Sequence, residues 1–166
     1  MLPIGHSGRM PRRSKTLRDM TGENSKRIRY LTSKTVAALY TALARWAEKT
    51  DEPIPNFAHA DKGGIEALVA APQQRFFGIE AYPTLEEKAA IIFYTVNKRQ
   101  IFPNGNKRMS TLCLLVFLGI NGKRLDVSEN ELRDKALWLA NTESLDFPAI
   151  KDEVTDWIRE HLTDLD

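Results

Sequence analysis

Along most of the chain, hydrophobic residues recur at helical spacing. From Thr32, the residues Val36, Leu39, Tyr40, Leu43 and Trp46 share one stripe of a helix that Thr32 or Ser33 can cap. Pro53 and Pro55 end it, because each disfavours helix at the residue before it. A short helix over Gly64 to Ala71 follows, carrying Ile65, Leu68 and Val69 and closed by Pro72. The stretch Gln73-Gln74-Arg75-Phe76-Phe77-Gly78 breaks the rhythm with adjacent aromatics and a glycine, which predicts an exposed loop or short hairpin. Thr84 with Glu86 and Glu87 opens a helix through about Lys98, with Ala89, Ile92, Phe93 and Val96 on its apolar side. Asn106 to Ile120 is apolar nearly all round and is expected to be the central helix, capped by Asn121-Gly122. Two amphipathic helices, near Ser128 to Ala140 and Phe147 to His161, complete an all-α domain.

The 166 residues fit one domain, and 42% hydrophobic content supplies one ordinary core. The longest apolar run, Leu112 to Ile120, falls far short of the roughly 20 residues of a membrane span. The N-terminal stretch lacks the apolar block of a secretory signal. Cys113, the one cysteine, lies inside the apolar run, which fits a reduced core residue of a cytoplasmic protein. Trp46, Trp138 and Trp157 sit in helical patterns and read as packing residues. His6, His59 and His161 have no ligand-like spacing, so a dedicated zinc site is not expected.

Charge is unevenly spread. Residues 1–30 carry a net +6, leaving −4 for the remainder of a chain whose total is +2. Residues 1–27 form a basic extension with little apolar content, expected to be disordered alone. It reads as a solvated tail, as translated sequence ahead of a start at Met10 or Met20, or as a nucleic-acid contact through residues 1–30.

The most informative stretch is Phe102-Pro103-Asn104-Gly105-Asn106-Lys107-Arg108. A helix begins there, and its first backbone N–H groups lack intrahelical acceptors, which makes an anion site reinforced by the helix dipole. Gly105 lets the turn approach a ligand, Asn106 adds an amide, and Lys107 and Arg108 bring two cations within reach of phosphate oxygens. Taken alone, the same residues also make an ordinary turn, cap and solvated first turn.

Gln100 to Arg108, followed by Phe117-Leu118-Gly119-Ile120-Asn121-Gly122, resembles the Fic/Doc family and more closely its death-on-curing branch. Pro72 to Gly78, Tyr82-Pro83-Thr84, Glu87 to Ala90 and Ile28 to Thr32 resemble the same branch in the same order. The likeness covers about residues 28 to 161, so residues 28–166 are expected to form one Fic/Doc-like domain.

The resemblance implies a compact bundle of helices around the one starting near Asn106, with ATP phosphates at its N-terminus on Gly105, Asn106, Lys107 and Arg108, and Mg²⁺ held with the help of Asn104. It makes Gln73, Gln74, Arg75, Phe76, Phe77 and Gly78 a flap where a target polypeptide docks by strand addition. Lys107 stands where most relatives have glycine and transfer a nucleoside monophosphate to a protein hydroxyl. In the death-on-curing branch it implies phosphoryl transfer to a translation factor, by a toxin restrained in trans by an antitoxin.

Two positions depart from the family pattern. Gln100 occupies the place of the histidine that takes the proton from the attacking hydroxyl, and a neutral amide has no group that titrates near pH 7. Asn104 replaces the usual metal-binding acid and keeps an oxygen without its charge. Either Gln100 is an inactivating substitution in a transferase, or the chain is a non-catalytic relative that keeps nucleotide or antitoxin binding. Transfer of phosphoryl or of AMP both stay open. The Ser/Thr-x-x-x-Glu-Gly/Asn pattern of self-inhibited relatives does not occur in the chain.

Overall fold

The computed structural model describes residues 27–143 and 146–166. Residues 1–26 of the basic extension lie outside this range, and so does what was expected of them. Six α-helices dominate the described residues: α1 (Ser33–Ala47), α2 (Lys62–Ala70), α3 (Leu85–Arg99), α4 (Asn106–Ile120), α5 (Glu129–Asn141) and α6 (Phe147–His161). Two small antiparallel pairs accompany them, β1 (Arg75–Phe76) with β2 (Ile79–Glu80), and β3 (Lys123–Leu125) with β4 (Leu162–Asp164). The compact, all-α bundle with a hairpin flap is the fold expected from the sequence.

Side-chain caps explain three of the six helix starts. Thr32 Oγ1 accepts the Thr35 N–H at 3.1 Å to cap α1. Thr84 with Glu87 and Ser128 with Glu131 form reciprocal capping boxes at α3 and α5. The buried stripe of α1 is Val36, Tyr40, Leu43 and Ala47. Trp46 misses it, because ten residues beyond Val36 the helix has turned some 80° off the stripe, and its side chain stays 56% exposed. Trp138 and Trp157 do pack on the core, with the Lys135 ammonium 4.1 Å and 5.8 Å from their ring centres.

α4 shares the centre with α3, which packs on α2, α4, α5 and α6. Met109, Cys113, Leu114, Phe117 and Leu118 of α4 are buried, whereas Leu115 and Ile120 remain partly exposed. Tyr40 stacks on Phe102 at 4.7 Å between ring centres and donates its hydroxyl to the Pro55 carbonyl, fixing α1 against the α3–α4 connection. The far end of α4 is tied down by Asn121, whose side chain exchanges hydrogen bonds with the Arg29 N–H and carbonyl at 2.8 and 2.9 Å. The β3–β4 pair, which no sequence pattern signalled, joins the segment after α4 to the end of α6.

Candidate functional site

The site is the connection from α3 to α4. Gln100 ends α3 in the left-handed conformation, with φ of 53°, and its side chain is exposed. Ile101 and Phe102 then plunge into the core, while Pro103 and Asn104 return to the surface. Asn104 Oδ1 accepts the Gly105 N–H at 2.7 Å. Gly105 has φ of 78°, and a Cβ there would lie 2.9 Å from Ile54 Cδ1. Glycine is therefore favoured by the left-handed backbone itself, and a side chain there would also push the Ile54 methyl aside.

Asn106 also has a structural role. Its side chain is buried and bonded twice to one residue, accepting the Phe102 N–H at 3.0 Å and donating to the Phe102 carbonyl at 2.7 Å. The amide locks the loop with its oxygen and one of its two N–H donors, and the backbone N–H of Asn106 is left for an anion. The first intrahelical bond of α4 runs from Met109 N–H to the Gly105 carbonyl at 2.8 Å. The N–H groups of Asn106, Lys107 and Arg108 precede it and have no acceptor among the described residues.

Gln100, Asn104, Gly105, Asn106, Lys107 and Arg108 all line one polar cleft of about 460 Å³. Three polar residues without a motif to announce them line it too: Glu52, Asn97 and Lys98. Arg108 Nη2 lies 2.9 Å from Glu52 Oε2, and its guanidinium carbon is 5.6 Å from the Trp46 ring centre. Lys107 is exposed, and its ammonium has no partner among the described residues. Lys98 donates to the carbonyls of Ala140 and Thr142 at the end of α5, and burial pushes its pKa down. Asn97 Nδ2 donates to Ser110 Oγ at 3.3 Å and to the Ala136 carbonyl at 3.1 Å, and its buried Oδ1 has no partner among the described residues. Three cations and one carboxylate thus surround the opening of α4, a setting that favours an anion.

The flap stands apart, and none of its residues lines the cleft. Gln73 sits in a 3₁₀ turn and donates to the Val69 carbonyl; Gln74 accepts the Ala81 N–H at 2.9 Å. Arg75 faces Glu80, and Phe76 faces Ile79, across a two-residue tip in which Phe77 and Gly78 both have positive φ. Phe76, Phe77 and Ile79 are exposed, Phe77 fully so.

For Mg²⁺ the described residues contain no group of three or more histidines, cysteines or carboxylates. Asn104 Oδ1 keeps a lone pair beyond its bond to Gly105, and Glu52 is the one carboxylate on the cleft. This donor set suits a cation carried mainly by a nucleotide's own phosphates. No helix among the described residues is long and apolar enough to cross a membrane.

Comparison with known proteins matches residues 24–118 to the Fic/DOC family. A 65-residue stretch is 38% identical to a protein of Mycolicibacterium smegmatis named Toxin Doc; the match takes in 39% of this chain and 50% of that relative.

Proposed function

The chain belongs to the Fic/DOC family, and on that premise we propose that it holds ATP at the start of α4 and acts, or descends from proteins that act, as a toxin transferring the γ-phosphoryl group to a hydroxyl of a target protein. The observation that carries this reading is the convergence of three unpaired backbone N–H groups, from Asn106, Lys107 and Arg108, with the free Lys107 ammonium in one cleft. Oriented amides at a helix start suit phosphate oxygens, and a lysine adds a point charge. Asn104 would help hold Mg²⁺ beside the phosphates, where the ion would neutralise charge building on the transferring group.

In the transfer, the target hydroxyl oxygen forms a bond to the γ-phosphorus, the bond to the bridging oxygen breaks, ADP leaves, and the hydroxyl proton must be taken up by a base. Gln100 lines the cleft but has no basic site for it. This favours a second reading, a nucleotide-binding relative with little or no turnover. Calorimetry with Mg²⁺–ATP tests the shared premise: the chain should bind, and Lys107→Ala should weaken binding about tenfold, the value of a lost charge-assisted contact near 1.4 kcal/mol. Labelling of cell-extract proteins by the Gln100→His variant, with ATP carrying isotope at the α or the γ position, then separates AMP from phosphoryl transfer. Absence of ATP binding by the unaltered chain would overturn both readings.

An antitoxin supplied in trans belongs to the same proposal. α1, α4 and α5 leave an apolar groove of about 750 Å³ lined by Trp46, Leu112, Leu115, Leu132, Ala136 and Leu137. Lys107, Arg108 and Arg133 on its rim against Glu129 suit an amphipathic helix with acidic flanks. A helix seated there would reach the phosphate cleft, because Lys107 and Arg108 line both hollows. The target, a translation factor by family likeness, would dock on the β1–β2 flap.

A further inference from the structure

Lys88, on the inner face of α3, is 2% exposed, and a buried ammonium without partners is strongly unfavourable. The Tyr30 ring centre lies 5.9 Å from its Nζ, and its hydrogen-bond and ion-pair partners are all on or beside the flap. Nζ donates to the Pro72 carbonyl at 3.2 Å, ahead of the hairpin, and to the Tyr82 carbonyl at 2.5 Å, behind it. Glu80 Oε1 of β2 lies 3.5 Å away and also pairs with Arg75 of β1 at 3.5 Å. One buried charge therefore grips both stems of the hairpin and, through Glu80, its middle rung.

That rung is the one a target strand would use. The bond from Ala81 N–H to the Gln74 carbonyl marks Gln74 and Ala81 as a hydrogen-bonded pair. In an antiparallel ladder the next pair, Arg75 with Glu80, must then turn its backbone N–H and C=O groups outward. We infer that Lys88 is a positioning residue for the protein target: it holds the Arg75–Glu80 rung as a preformed ledge, so that a target strand adds to a fixed edge. The inference rests on the flap being the target's dock, and it concerns neither the nucleotide nor the proton transfer.

Amide hydrogen exchange on the intact chain tests it without any activity. Lys88→Met, of similar length and uncharged, should speed exchange at Ile79 and Ala81 about tenfold while Phe117 and Leu118 stay within about twofold, since local opening is separable from global unfolding. Glu80→Gln, at the surface, should speed the same two amides by about threefold; it decides the matter alone if Lys88→Met does not fold. Unchanged flap amides, or flap and core amides accelerated together, would overturn the inference. In the Gln100→His background, Lys88→Met should raise the extract concentration for half-maximal labelling from γ-labelled ATP about tenfold and leave the plateau rate and the ATP affinity within about threefold. A lower plateau at unchanged half-saturation would count against it. If Gln100→His labels nothing, the proposed transfer fails, and the exchange result still decides the role of Lys88.

Discussion

Asn106 and Phe102 hydrogen-bond each other twice, side-chain amide to backbone N–H and carbonyl, across the three residues between them. The pair closes the loop that presents the start of α4, and both backbone groups are buried with it. Asn106→Ala would orphan two buried polar groups at ~1–3 kcal/mol each, so chemical denaturation should show a loss of about 2–6 kcal/mol. A loss below about 0.5 kcal/mol, the scale of an ordinary surface substitution, would mean the latch contributes nothing.

Arg108 gives Nη2 to Glu52, which neutralises part of the charge it would offer a phosphate. That ion pair is half exposed, and such pairs contribute ~0–1 kcal/mol, so Glu52 competes weakly with the nucleotide. Glu52→Gln should tighten ATP binding by up to about fivefold at low salt, with the gain shrinking as ionic strength rises. Calorimetry at two salt concentrations checks this. Weaker binding in the variant would assign Glu52 to the metal and not to restraint of Arg108.

The helices were legible because their signals are local. Thr84 with Glu87, the apolar run after Asn106 and the Asn121-Gly122 stop each lie within one or two turns, and the elements fall where those residues place them. The Phe102–Arg108 turn was legible for the same reason. Glu52 was not, since it meets Arg108 from 56 residues away, with no spacing that encodes the meeting. Lys88 looked like one more charge on an amphipathic helix, and only the folded hairpin reveals its partners. The Asn106 amide looked available for a ligand, because nothing in Asn-Gly-Asn says that the Phe102 backbone would claim it. The three-residue strands β3 and β4 are too short to carry a period, and their pairing depends on α6 ending beside α4.

Cys113 should make stability fall at high pH. Burial pushes its thiol up to about 12 from an ordinary 9.0, so the unfolded chain loses the proton first as pH rises. The contribution is intact below pH 9.0 and is lost between there and about 12, at a slope of about 1.4 kcal/mol per pH unit. Burial also raises Tyr40 and Tyr82, which adds to the decline at higher pH. Cys113→Ala isolates the thiol: unfolding measured at pH 7, 9 and 10.5 should show a shallower alkaline loss in the variant. Parallel curves for the two proteins would mean that the thiolate is tolerated in the core.

Gln100→His is the substitution on which the catalytic reading stands or falls. The position is exposed and left-handed, a conformation that histidine enters more readily than most residues, so stability should stay within about 0.5 kcal/mol. A change in labelling would then be chemical. The imidazole must be neutral to accept the proton of the attacking hydroxyl, so transfer should climb with pH through about 6.5 and level off, whereas the Gln100 chain shows no such titration. A general base contributes roughly 10²–10⁴-fold, which sets the gain expected at pH 7.5. ATP affinity should be unchanged, because the phosphate contacts proposed above use the N–H groups of Asn106, Lys107 and Arg108 and not residue 100. If the variant binds ATP as tightly as its parent and still transfers nothing from the α or the γ position, the missing base is not what silences the site, and the chain is a nucleotide binder by construction of the whole cleft.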